Sequence, residues 1–150
     1  MSARILLVDD DTAILRSIRR VLERNGYNVV TAETATEALG KLQTSHYDLV
    51  LLDVILPDMK GTDLLAKAKN ELKQTVKFII TGYPSGEIGA RAREEGADAF
   101  ILKPIRMPEL LSVIRVFLNE LEPTFRRGEQ EFTLSEVGNE QIYDSPKYST

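Results

Sequence analysis

Along the first 121 positions, short and mainly apolar runs alternate with segments in which apolar residues return every three or four positions. The runs lie at 5–8, 28–31, 49–52, 76–80 and 99–102. They are too short for buried helices and are stopped by acids, Gly or Pro, so they predict strands buried on both faces of a parallel sheet. Between Thr12 and Asn25, residues Ile14, Leu15, Ile18, Val21 and Leu22 form a helical stripe that Gly26 stops. Residues 34–44 predict a second helix with Ala35, Ala38, Leu39 and Leu42 inward, which Gly40 weakens by about 1 kcal/mol relative to alanine. A third, capped by Thr62 or Asp63, is expected to run to about Leu72. Residues 83–95 have faint periodicity and predict a short helix, the least stable of the set. Pro108 opens the last, strongly apolar helix, from Leu110 through Leu121. Strand and helix thus alternate five times, which predicts an α/β fold: a doubly wound parallel sheet, helices on both faces and right-handed crossovers.

This pattern gives the polar residues at the strand ends a common location. The first strand runs into Asp9, Asp10 and Asp11, the third into Asp53, the fourth into Thr81 and Gly82, and the fifth into Lys103 and Pro104. In an open parallel sheet these positions converge on the edge where ligands bind. Clustered carboxylates repel one another unless a cation relieves them, and Mg²⁺ suits an all-oxygen site with no His or Cys beside it. Asp9 and Asp10 would hold the ion and Asp53 would share it. A carboxylate can also attack phosphorus to form an acyl phosphate, with Lys103 pairing to the phosphoryl group and the Thr81 hydroxyl donating to it. Other polar residues have plainer roles. Asp11 and Thr12 precede a helical stripe and read as caps, Asp58 after Pro57 reads as a turn residue, and His46 is given no role.

The 150 residues and 43% apolar content fit one domain, and the absence of cysteine excludes disulfides and thiolate metal sites. With no membrane-length apolar run, a cytoplasmic protein without membrane attachment is expected. Net charge is −4, unevenly spread: residues 1–121 carry 16 Lys and Arg against 17 Asp and Glu, and residues 122–150 carry 3 against 6. No basic footprint for nucleic acid is present. The domain is therefore placed at 1–121, followed by an acidic tail or linker at 122–150. That tail is expected to be disordered or loosely extended. The alternatives are docking on its own or a partner domain, an added edge strand around Phe132 and Leu134, or a truncated link to an output region.

The blocks ILLVDDD (5–11), DVILPDMKG (53–61), FIITG (78–82), GAD (96–98) and FILKP (100–104) together resemble the receiver domain of two-component response regulators. The resemblance implies a flavodoxin-like sheet of order 2-1-3-4-5 and Asp53 as phosphoacceptor. It further implies Mg²⁺ on Asp9, Asp10, Asp53 and the Ile55 backbone carbonyl, Lys103 as the phosphate-pairing lysine, and Thr81 and Phe100 as switch residues. The donor would be a sensor histidine kinase or a histidine phosphotransfer protein. Output would pass through the face of helix four, strand five and helix five to a downstream target or a homodimer. Ile55 and Tyr83 flank the acceptor without being able to activate water, so slow loss of the phosphoryl group is expected. Two other readings compete. A Mg²⁺-dependent phosphatase of the haloacid dehalogenase type would use Asp9 as nucleophile and Asp11 as general acid, and a non-phosphorylated interaction module would leave the acids idle.

Overall fold

The apolar runs become strands because each ends where the sequence turns polar, and the stripes between them become helices with one buried face. The computed structural model describes residues 2–82 and 85–120, together with the backbone of 124–127 and 130–133. In chain order the elements are β1 (Arg4–Val8), α1 (Thr12–Arg24), β2 (Asn28–Ala32), α2 (Ala35–Thr44), β3 (Leu49–Asp53), α3 (Gly61–Lys67), β4 (Val76–Thr81), α4 (Gly86–Glu94), β5 (Ala99–Leu102) and α5 (Met107–Phe117). The five strands pair in parallel in the order β2-β1-β3-β4-β5. The chain steps outward from β1 to β2 and then returns past it to β3. The crevice for a ligand therefore opens between the ends of β1 and β3.

Strand alternation divides the core. Ile5, Leu7, Leu49, Leu51, Phe78, Ile80 and Ile101 face α1 and α5, meeting Leu15, Ile18, Leu22, Leu110, Val113 and Ile114. Leu6, Val8, Val50, Leu52 and Ile79 face the other way, onto Ala35, Ala38, Leu42, Leu64, Leu65 and Ala92 of α2, α3 and α4. Because both faces are covered, β3 shows an unbroken apolar run instead of alternation.

Helix α3 departs from expectation. Neither Thr62 nor Asp63 caps it: Lys60 holds that place without a side-chain bond, and the helix ends at Lys67 in a run of turns. Thr62 is buried, and Asp63 accepts a 2.9 Å bond from Arg91 on α4, so neither side chain serves the helix terminus. Leu72 lies beyond the helix yet stays buried. Helix α4 begins at Gly86 with Ser85 as its cap, and α5 stops at Phe117. Tyr83 and Leu121 lie outside the described residues. After α5, β6 (Thr124–Arg127) and β7 (Gln130–Thr133) pair antiparallel in a separate two-stranded sheet. The strand expected around Phe132 therefore forms, but it pairs with β6 and is not an added edge of the main sheet. Leu134 lies outside the described residues.

Asp58 has more than a turn to make. Its carboxylate accepts from the Ala35 and Thr36 backbone N–H groups at 2.9 Å and from Thr36 Oγ1 at 2.6 Å, tying the β3–α3 loop to the start of α2. The hydroxyl bond from Thr36 and the backbone bonds lower its pKa to about 2. A lowered folded-state pKa gives stability that is present above the ordinary carboxylate range and is lost as pH falls toward that value. In urea melts, Asp58→Ala is therefore expected to be less stable than wild type at pH 7. The gap should narrow steadily as the pH falls below about 4.

Candidate functional site

Register fixes the geometry. Val8 pairs with Leu52, so β1 and β3 end level, and the next residues, Asp9 and Asp53, emerge side by side at the switch point. By alternation both follow the α1/α5 face, as does Lys103, two residues after Ile101. Asp9 and Asp53 are buried at 5% and 8% exposure, while Asp10 is exposed. Lys103 Nζ bridges the buried pair, donating to Asp9 Oδ2 at 2.8 Å and to Asp53 Oδ2 at 3.0 Å. The other oxygens are also engaged. Asp9 Oδ1 accepts from the Asp11 N–H at 2.9 Å, and Asp53 Oδ1 accepts from the Ile55 N–H at 3.2 Å. Asp11 itself caps α1, accepting from Ala13 and Ile14.

Thr81 is fully buried at the end of β4, and its carbonyl accepts from the Lys103 N–H at 2.8 Å. The Lys103–Pro104 peptide is cis. Phe100 pairs in register with Ile79 and is partly buried against the α2–α4 side of the core. Alternation places Thr81 on that same side, one diagonal step from Phe100 on the neighbouring strand. Ile55 is 52% exposed beside Asp53, the one exposed large apolar residue among those described.

Gly61 completes the site in a way its sequence position only hints at. Its N–H donates to the Val54 carbonyl at 2.6 Å, and a Cβ there would sit 2.3 Å from the Asp53 backbone oxygen. The sequence presents it as a turn signal. The structure makes it the residue that lets α3 begin directly against the end of β3.

Burial raises the pKa of Asp53, and the Asp9 charge adds to this, while the bonds from Lys103 and Ile55 work against it. Burial pulls the Lys103 pKa down, but Asp9 and Asp53 outweigh it and the net shift is upward. Lys103 is therefore the firm cation of the cluster, and Asp53 is the carboxylate whose ionisation the fold resists. A raised folded-state pKa means that the ionised form weakens the fold as pH rises through that pKa. Asp53→Asn removes the strained charge. At pH 7 without metal it is expected to gain stability on the order of 1 kcal/mol in urea melts.

Oxygens of Asp9, Asp10 and Asp53 lie within 4.8 Å of one another. This compact set of hard carboxylate donors, open on the Asp10 side, fits Mg²⁺, which accepts a few protein oxygens and retains water.

The family model of the response regulator receiver domain matches residues 5–115. The chain belongs to the response regulator receiver family. Among curated relatives, the response regulator MprA of Mycobacterium bovis BCG is 33% identical over 123 residues, covering 82% of this chain and 54% of the relative. This receiver thus spans about half the length of the curated relatives it matches. A solved CheY-like receiver domain protein from Methanospirillum hungatei is 45% identical with a TM-score of 0.78, covering 80% of this chain and 96% of that one. A Burkholderia pseudomallei response regulator solved with a phosphorylated aspartic acid and calcium ion is 26% identical with a TM-score of 0.72, covering 79% of this chain and 70% of that one.

As a receiver of two-component response regulators, the chain has a family whose general mechanism is phosphorylation on aspartate. Receivers generally bind Mg²⁺ through acidic residues and work with histidine kinases or phosphotransfer proteins and with output domains. The haloacid dehalogenase reading falls away, since the family is a different one and the carboxylate it required as general acid, Asp11, is committed to capping α1. Among the described residues, no helix is long and apolar enough to cross a membrane.

Proposed function

We propose that this chain accepts a phosphoryl group from a phosphohistidine donor onto Asp53 and turns that event into a change of its α4–β5–α5 surface. The observation that carries this reading is the position of Lys103 Nζ, 2.8 Å from Asp9 and 3.0 Å from Asp53 at the switch point of the sheet. An ammonium held there keeps Asp53 ionised against its burial and stands ready to pair with a phosphoryl oxygen. A carboxylate oxygen of Asp53 attacks phosphorus, the P–N bond to the donor imidazole breaks, and the imidazole nitrogen keeps the electron pair. Asp9, Asp10 and Asp53, with the Ile55 backbone carbonyl, would hold Mg²⁺, which neutralises charge on the phosphoryl oxygens. Lys103 exchanges part of its bonding to Asp53 for the new oxygens.

The output follows from the shared face of Thr81 and Phe100. Thr81 turns its hydroxyl toward the phosphoryl group, and the space it leaves admits Phe100, whose partial exposure gives burial as a driving force for the inward position. The resulting surface addresses a downstream protein or a second copy of the chain. The receiver occupies residues 1–121, with an acidic tail after it, and acts in the cytoplasm on a phosphoryl group supplied by a sensor histidine kinase or phosphotransfer protein.

Incubation with acetyl phosphate and Mg²⁺, followed by intact mass, tests the assignment. Wild type is expected to gain one phosphoryl group, and neither Asp53→Asn nor wild type in chelator should do so. An equal gain on Asp53→Asn would remove Asp53 from the role, and a Mg²⁺-binding wild type that never gains mass would leave the fold as an interaction module.

A further inference from the structure

Helix α1 carries a line of positive charge that the body of the domain leaves unbalanced. Arg16, Arg20 and Arg24 are exposed and stand four residues apart, so they share one line with a rise of about 6 Å between neighbours. Like charges at this interval oppose helix formation. Arg19 is relieved by Glu23 at 3.3 Å, but among the described residues no carboxylate pairs with the other three.

The complementary charges lie further along the same chain. Glu136, Glu140 and Asp144 repeat the same four-residue interval. The route to them begins beside α1: Arg115 Nη2 donates to Asn25 Oδ1 at 2.9 Å, and the Tyr27 hydroxyl donates to Glu120 at 2.5 Å, so α5 ends against the C-terminal end of α1. The four residues from Glu120 to Thr124 span at most about 14 Å. Thr124 then pairs with Thr133, so the β6–β7 sheet returns the chain to within about 5 Å of where it entered. By chain length residue 134 therefore starts within about 30 Å of the Arg24 end of α1, and a start close enough for Glu136 to reach Arg24 lies inside that bound.

We propose that residues 134–146 dock on the exposed face of α1, antiparallel to it, with Glu136 against Arg24, Glu140 against Arg20 and Asp144 against Arg16. The antiparallel sense follows from the point of entry. Gly138 disfavours helix in isolation, so the acids come onto one line only when docked, and Pro146 ends the segment.

The absence of cysteine allows one spin label to be placed cleanly. In the full chain carrying a nitroxide at Ser145→Cys, loss of amide NMR signal is expected on α1, strongest around Arg16. Recovery is expected in 1 M NaCl, where charges are screened beyond about 3 Å. Arg20→Glu should abolish the loss, and Arg20→Glu with Glu140→Arg should restore it. The proposal is overturned if α1 signals are untouched, if the loss falls on another element, or if it persists in 1 M NaCl. It is also overturned if broadening requires mixing labelled with unlabelled chains, because a second copy would then be the occupant.

Discussion

Gly61→Ala is expected to destabilise the fold by about 3 kcal/mol or more, through overpacking against backbone that cannot easily yield. The added Cβ would meet the Asp53 backbone oxygen at 2.3 Å and Val54 Cα at 3.1 Å. Neither is the movable end of a flexible side chain, so the start of α3 must shift away from β3, and the 2.6 Å bond from Gly61 to Val54 goes with it. Gly40 supplies the contrast. A Cβ there meets nothing within 4 Å, so Gly40→Ala should stabilise α2 by about 0.5–1 kcal/mol. Urea melts of the two variants check this, and similar small effects would show that α3 can back away at little cost.

Lys103→Ala should have the largest effect on the chemistry. Its ammonium is the cation between two buried carboxylates, so its removal leaves Asp9 and Asp53 facing each other uncompensated. Loss of one partner from a buried ionic set costs about 3–5 kcal/mol. Mg²⁺ should return part of that stability, and Asp53→Asn in the same chain should relieve it further, since Asp53 is the carboxylate whose ionisation burial already opposes. Acquisition of phosphate from acetyl phosphate should slow by about 10²-fold, the effect of removing one preorganised charge from a developing oxyanion. Lys103→Arg keeps the charge on a broader, planar group and should fall between. Undiminished phosphorylation in Lys103→Ala would confine the lysine to a structural role.

The sequence made the strands and their polar ends plain because parallel strands covered on both faces must be continuous apolar runs. The first polar residue after each run then marks the ligand edge. Asp9, Asp10, Asp53 and Lys103 were legible together for that reason, and so was the Asp11 cap, since it precedes a strong helical stripe. The start of α3 was misread because Thr62 and Asp63 look like caps only while their tertiary partners are unknown: one is buried, and the other reaches Arg91. Asp58 is structural, as expected of a residue after Pro57, but the reach of its role was hidden. Its partners Ala35 and Thr36 stand 23 and 22 residues earlier, a separation at which no local pattern reports a bond. The steric demand at Gly61 was hidden too, since a turn glycine and a close-approach glycine have the same letter.

Borohydride reduction of the phosphorylated chain tests the central claim most directly, because it converts an aspartyl phosphate to homoserine and leaves ordinary carboxylates alone. After acetyl phosphate and Mg²⁺, peptide mapping should find homoserine at position 53 alone, and at no position when Mg²⁺ is chelated. Homoserine at position 9 or 10, with Asp53 recovered intact, would contradict the account and move the nucleophile to the end of β1.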